Sequence, residues 1–480
     1  MRVFKGIPFA APPIGPLRWR PPQPVKPWEG VLKADHFGCR CMQPESPATG
    51  GRGLAAAAAP AMSEDCLYLN VWTEAASASE RRPVIVWSHG GALTIAGAER
   101  DGEALARKGA VVITYHYRLG PFGFFSHPEL TRESGRNASG NYGLMDLIAV
   151  LHWVQRNITA FGGDPNRVTL MGQSGGGRLT RAAVASSQAK GLFHRAISQS
   201  APVRIERMLT LAESEKAGQA EAAKIGAASL AELRAKPADE IQRDMQTGRL
   251  VVDGWYVTED ISITIAEGRH NQVDVLVGSN KDEATFVSSF PASPFLGVES
   301  TTAQQFTDGA RRRFGSKAGV FLDLYPAGSS DDDARASQRE AFRDEAAWNA
   351  RDWALAQTRA GGKAYLYYFV HEPPVAPTPG QQNRGAGHGA EVPYAFNDPD
   401  ALWTDVDRAL ADAMSSYWVN FAKSGDPNGA DLPVWPALQL TAHERLILGP
   451  KIEVGPGLDA ESVALFDAVA IRRSVAPSPR

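Results

Sequence analysis

Arg167-Val168-Thr169-Leu170-Met171-Gly172-Gln173-Ser174-Gly175-Gly176 is the stretch whose reading decides the fold. Arg167 to Met171 is a short apolar run suited to a buried parallel strand, and Leu179 to Ser187 beyond it can form a helix. Between them Gly172 to Gly176 fits G-x-S-x-G, a strained turn that lifts a serine hydroxyl above the carboxyl edge of a sheet. Small residues must flank such a serine, because the turn is too tight for side chains and the following helix packs close. Five residues alone recur by chance in glycine-rich loops. The flanking strand and helix are what raise the signal.

The same alternation runs through the first half of the chain. Leu67 to Trp72, Pro83 to Ser88 and Ala110 to Tyr115 are β-branched or aromatic runs, and Gly102 to Lys108 and Leu144 to Asn157 are helical patterns. This order predicts an α/β fold with a mostly parallel sheet covered by helices on both faces. Val273 to Gly278 and Lys363 to Val370 are later strand candidates. The Ala-rich, charged stretches Leu209 to Gln246 and Thr302 to Thr358 read as inserted helical layers that could cap a site, and Pro8 to Pro27 as an extended wrapping arm.

Composition excludes several classes. The 480 residues are 43% hydrophobic and 21% charged with a formal charge of −3, an ordinary globular balance with no electrostatic footprint for nucleic acid or acidic membranes. No apolar run approaches the roughly 20 residues needed to span a bilayer, and no signal-peptide pattern opens the chain. No His/Cys cluster has metal spacing, so neither a metal nor a cofactor is implied. The cysteines at 39, 41 and 66 are odd in number. Cys41 or Cys39 paired with Cys66 would close a loop rich in Ala, Gly and Pro, worth about 3 kcal/mol through the unfolded chain.

A serine hydroxyl needs a base, and the base needs an orienting acid. After an elbow of this type the partners come in the order acid, then histidine, on turns following later strands. Of ten histidines, His388 stands apart because Gly385-Ala386-Gly387-His388-Gly389 is a flexible loop after a strand. Gly278-Ser279-Asn280-Lys281-Asp282-Glu283 follows the Val273–Val277 strand and offers two acids, Asp282 and Glu283, which spacing does not separate. His89-Gly90-Gly91-Ala92 follows another strand and could aim backbone N–H groups at a developing negative charge together with Gly175.

Longer motifs make a resemblance specific. Phe4-Lys5-Gly6-Ile7-Pro8-Phe9-Ala10, Ser63-Glu64-Asp65-Cys66-Leu67-Tyr68-Leu69-Asn70-Val71, Asn141 to Asp146, Phe161 to Pro165 and Trp418 to Asn428 occur in the order seen in type-B carboxylesterases. The chain resembles that family nearly end to end, including its cholinesterases and para-nitrobenzyl esterases. The resemblance implies one α/β-hydrolase domain over 1–480, with helical insertions about 205–250 and 300–360. It implies a triad of Ser174, Glu283 and His388, the last in the family's H-G-x-E as His388-Gly389-Ala390-Glu391. It also implies oxyanion donors Gly91, Ala92 and Gly175, a buried Arg18–Glu64 ion pair, export from the cytoplasm and a Cys41–Cys66 disulfide, because Cys41-Met42-Gln43 fits the family's C-x-Q. A small-molecule ester substrate follows, on a monomer or weak homo-oligomer.

Departures from the pattern bear on the substrate. The family's elbow usually reads G-E-S-A-G-G, whereas Gln173 here removes a carboxylate and Arg178 adds a cation. Both changes favour an anionic ester, since Arg binds carboxylate bidentately. Fumonisin esterases, which release tricarballylate, would fit. The competing readings are an Arg178 paired with an acid on the helix's far side, a broad aryl or alkyl esterase, a peptidase or thioesterase on the same machinery, and a non-catalytic relative. Ala92 and Ala284 replace family glycines without removing an N–H.

Overall fold

A computed structural model describes residues 1–44, 60–201, 207–285, 296, 302–375, 384–441 and 444–475. The Ala55–Ala59 run and His443 lie outside the described residues. The chain divides into two compact units, residues 1–198, 208–274 and 415–429 in the first and 199–207, 275–414 and 430–480 in the second.

In the first unit six strands stand in the order β1-β2-β4-β3-β5-β6: β1 (Arg2–Pro8), β2 (Tyr68–Thr73), β3 (Arg82–Ser88), β4 (Val111–Tyr115), β5 (Gly163–Gln173) and β6 (Arg195–Gln199). The centre is parallel. β3 pairs with β4 at Val84↔Val111 and with β5 at Val84↔Val168 and Ser88↔Gly172. Val84, Ile85 and Val86 are fully buried, which is why these strands read as unbroken apolar runs and not as alternating ones. β1 and β2 pair antiparallel, as do β2 and β4, so this edge departs from the parallel pattern that the alternation suggested. Among the described residues no crossover helix separates β1 from β2, and an antiparallel neighbour needs none.

Two boundaries differ instructively from expectation. β5 begins at Gly163 and not at Arg167, and the helix after the elbow, Gly175–Ala185, begins directly behind the serine and not at Leu179. Three consecutive glycines argue against a helix start by propensity alone. Here the Arg178 N–H donates to the Ser174 carbonyl (2.9 Å), closing the first turn at once.

The first helical insertion folds as Leu211–Lys224, Leu230–Ala235 and Ala238–Asp244. Thr210 caps the first of these with Glu213 in a capping box, and Leu230, Leu233 and Ile241 bury against Trp19, Phe125 and Tyr142.

The second unit carries β7 (Asp274–Asn280), β8 (Ala364–Phe369) and β9 (Arg445–Leu448) in parallel, then β10 (Glu453–Gly455) antiparallel to β9. Its helical insertion folds as Ala303–Phe314, Ala318–Leu324 and Asp331–Arg359, and Ala460–Val475 follows near the end of the chain. Phe306, Phe314, Phe321, Trp348 and Phe466 build a separate core between these helices, with the Phe314 and Phe321 rings stacked 4.2 Å apart.

Two devices hold the N-terminal arm of the first unit. Cys41 and Cys66 form a disulfide, leaving Cys39 as a thiol, as the C-x-Q resemblance implied. Arg18 and Glu64 form a bidentate pair, Nε to Oε1 at 2.7 Å and Nη2 to Oε2 at 2.5 Å, with side chains 7% and 11% exposed. The Arg18 Nη1 also donates to the carbonyls of Leu233, Arg234 and Lys236 at the end of Leu230–Ala235. That guanidinium therefore pins the arm to the inserted helices. Arg18→Ala should lower stability by about 3–5 kcal/mol, because Glu64 keeps an unpaired buried charge. Pairing Arg18→Met with Glu64→Leu should recover only part of the loss, since the three carbonyls stay unpartnered. Urea midpoints of the three variants check this ordering.

Candidate active site

The elbow is a steric construction. Ser174 has φ 53° and ψ −117°, a conformation that L-residues rarely adopt and that costs on the order of 1–3 kcal/mol. The strand and helix on either side nearly touch. A Cβ on Gly172 would stand 2.4 Å from the Gly176 carbonyl carbon, and one on Gly176 would stand 2.0 Å from the Ser88 carbonyl oxygen. Only glycine fits at either position. Gly175 is the first residue of its helix, so its N–H has no intrahelical acceptor and sits at the positive end of the helix dipole.

The loop leaving β3 lies against this turn. A Cβ on Gly175 would be 3.1 Å from the Ala92 nitrogen, and one on Gly90 would be 2.4 Å from Gln173 Oε1. Gly91, Ala92 and Leu93 have φ values of 87°, 56° and 69°, three left-handed residues in succession. Thr94 and Ile95 N–H both donate to the Gly91 carbonyl, which closes the turn on its far side. Successive N–H groups in such a turn form a concavity suited to an anion. Gly91, Ala92 and Gly175, the expected oxyanion donors, are thus gathered in one place. His89 anchors the loop's start, stacked on Tyr117 at 4.4 Å while the Tyr117 hydroxyl donates to the His89 carbonyl (2.9 Å). Burial pushes the His89 imidazole down to about 4, so it is neutral near pH 7.

In the second unit the two acids after β7 separate by role. The Asp282 carboxylate accepts from the Ala386 N–H (2.8 Å) and the Asp282 N–H donates to the Ala386 carbonyl (3.1 Å). Asn280 Nδ2 donates to the Gly387 carbonyl (2.8 Å). These bonds stitch the glycine-rich loop to the end of β7 and so fix His388. Glu283 is wholly buried, and its Oε2 meets His388 Nδ1 at 2.5 Å while its Oε1 accepts from the Asn280 N–H at 2.9 Å. The carboxylate thereby sets Nδ1 as the protonated nitrogen and leaves Nε2 as the basic one. His388 itself is 13% exposed at its side chain.

Glu391 is the residue whose importance the sequence concealed. It ended the quoted H-G-x-E motif without a role assigned to it. Its side chain is fully buried; Oε2 accepts from Asn280 Nδ2 (2.5 Å), and Oε1 is approached by Gln199 Nε2 and Ser200 Oγ, each at 3.4 Å. Burial first, and the Glu283 charge second, push this carboxyl up to about 7. Asn280 serves both acids, one through its backbone and one through its amide.

Of the two residues singled out for the substrate, Gln173 is buried with its amide against Gly90, and Arg178 is half-buried in the first turn of the helix that follows Ser174. Among the described residues no cluster of three or more His, Cys, Asp or Glu could hold a metal ion, and no helix is long and apolar enough to cross a membrane.

Known proteins supply the rest. The family model described as Carboxylesterase family matches residues 1–466. A fumonisin B1 esterase from Sphingopyxis macrogoltabida is 34% identical, over 95% of this chain and 85% of that protein. A para-nitrobenzyl esterase from Bacillus subtilis (strain 168) is also 34% identical, over 94% and 92%. A solved PNB esterase superposes with a TM-score of 0.81 at 30% identity, covering 96% of this chain and 95% of that one, which makes the fold an α/β-hydrolase fold. With the family model spanning nearly its whole length, the chain belongs to the type-B carboxylesterase family and is a carboxylic ester hydrolase.

Proposed function

We propose that residues 1–480 act as one catalytic α/β-hydrolase domain in which Ser174 is the nucleophile, His388 the general base and Glu283 the orienting acid. The observation that carries this is the 2.5 Å bond between His388 Nδ1 and a fully buried Glu283 carboxylate. That arrangement would stabilise the imidazolium formed when His388 Nε2 takes the Ser174 proton. Ser174 Oγ attacks the ester carbonyl, and the N–H groups of Gly91, Ala92 and Gly175 hold the tetrahedral oxyanion, each donor worth about 3 kcal/mol. His388 returns the proton to the leaving alcohol, then activates the water that releases the acid. The Cys41–Cys66 bridge supports an oxidising compartment, hence export.

The substrate we propose is an ester whose acyl group carries free carboxylates. Arg178 on the helix behind Ser174, the neutral Gln173 beside the oxyanion loop, and similarity to a fumonisin B1 esterase support it. Tricarballylate esters are the natural first test. Similarity to a para-nitrobenzyl esterase keeps a broad aryl or alkyl esterase as the alternative.

Members of a triad act as a unit. Ser174→Ala and His388→Ala should each lower kcat by about 10⁵–10⁶-fold, and the double variant should be no worse than either. Additive losses in single-turnover assays would break the triad assignment. Arg178→Ala should lower kcat/KM for a tricarballylate ester by about 10–100-fold, the worth of a charge-assisted bond, while a neutral aryl ester changes less than about threefold. An unchanged preference would remove Arg178 from the pocket and leave the broad esterase.

Glu391 predicts a pH signature. Its folded-state value of about 7 lies above the ordinary 4.5, so in that window the folded chain holds a proton that the unfolded chain has lost. The stabilising contribution is fully present below pH 4.5 and is lost as pH rises through about 7. Glu391→Gln should flatten the pH dependence of the urea midpoint across that window. A slope equal to that of the parent protein would place the titration on another group.

A further inference from the structure

The loop that carries Gly91 and Ala92 is held at its far end by a side chain from a distant part of the sequence. Gln43 is 4% exposed and uses its whole amide there. Its Oε1 accepts from the Ala96 N–H (2.8 Å), and its Nε2 donates to the Ala96 carbonyl (2.9 Å) and to the Cys41 carbonyl (3.1 Å). One side chain thus pairs both polar groups of a single backbone residue, as a neighbouring strand would. Ala96 needs such a partner, because its φ is 90°, far into the region that penalises a Cβ. A strained residue persists only where its surroundings over-determine it.

The clamp is itself braced. Arg40 and Cys41 pair in parallel with Met62 and Ser63, and Cys41 is tied to Cys66. Arg40 Nε and Nη2 donate to Glu99 Oε1 and Oε2 (2.9 and 3.1 Å) just beyond the clamped residue. The rest of the loop hangs from Tyr117 at His89, from the Gly120 N–H at Leu93 (2.8 Å) and from Thr114 at Ala98 (2.6 Å). Between Leu93 and Ala98 the Gln43 amide is the anchor nearest the turn that aims the Gly91 and Ala92 N–H groups.

We infer that Gln43 is a positioning residue for the oxyanion loop, acting through Ala96 and touching no substrate. This rests on the oxyanion role proposed for Gly91 and Ala92. The transition state feels the placement of those donors far more than ground-state substrate does, because a full negative charge develops only there. A misplacement of about 1 Å in such a site costs on the order of 100-fold. Losing the clamp permits a fraction of that shift.

The test compares Gln43→Ala, which removes the clamp, with Gln43→Glu, which keeps the volume and the acceptor but turns a carboxylate toward two carbonyls. Rates on an aryl ester are expressed per serine titrated with an organophosphonate, so that misfolded protein does not count. Both variants should lower kcat about tenfold with KM moving less than threefold, and the inhibition constant of an aryl trifluoromethyl ketone should rise by the same factor as kcat falls. Unchanged kcat and ketone affinity overturn the inference. So does a loss of titratable sites in both variants, which would make Gln43 a requirement of the fold. Ser174→Ala separates the two levels: if it still hydrolyses the ester, the proposed mechanism fails; if it is inactive while the Gln43 variants match the parent protein, only the clamp fails.

Discussion

Everything near the proposed nucleophile follows from the need to turn a strand into a helix at one residue that carries a side chain. Ser174 sits at φ 53°, and the chain can pass there only if Gly172 and Gly176 offer no side chains to each other or to the Ser88 carbonyl. The parallel register that sets Ser88 opposite Gly172 brings the ends of β3 and β5 level. The loop after β3 therefore leaves the sheet beside the elbow. Strain at Ser174 persists because Val168, Leu170 and Met171 before it and Leu179 behind it are fully buried. A strand packed on both faces cannot shift without opening voids in that packing.

A second constraint is electrostatic. Glu283 and Glu391 are both buried, and two neighbouring carboxyls in a low-dielectric interior do not both ionise at ordinary values. The fold assigns them different partners. Glu283 receives the imidazole and a backbone N–H, whereas Glu391 receives amides and a hydroxyl and bears the upward shift. Asn280 is the residue that the two acids share. Its amide reaches both Glu391 and the Gly387 carbonyl, so the same residue orients the histidine loop and satisfies the second acid.

Much of this was legible in order and little of it in geometry. The apolar runs located the strands of the parallel centre to within a few residues, because burial on both faces leaves an unbroken signal. The antiparallel edge at β1 and β2 was not legible, since a strand's own residues carry no mark of its partner's direction. Ser174, His388 and the choice between Asp282 and Glu283 show the same divide. Spacing offered both acids, resemblance chose one, and only the folded loop explains the other, because Asp282 is spent on the Ala386 backbone. Glu391 and Gln43 were each printed inside a quoted motif, yet their roles depend on residues 111 and 53 positions away. No local pattern encodes such a distance.

The loop proposed to hold the oxyanion is fixed by residues that pay for their backbone conformation. Ala92, Leu93 and Ala96 all hold positive φ, where glycine would be cheaper by about 1–2 kcal/mol each. Glycine, however, would also open many neighbouring conformations to the loop. A residue with a Cβ in the left-handed region has one narrow well, and once outside bonds force it there it has nowhere close to drift. Those bonds come from Thr114, Tyr117 and Gly120, all in the 114–120 segment, and from Gln43, far away in sequence. Stability is thereby converted into fixed N–H directions, the property that oxyanion stabilisation requires before the charge appears. The alanine at position 92, which in the sequence looked like a tolerated departure from glycine, is in the folded chain a stiffener of the N–H it carries.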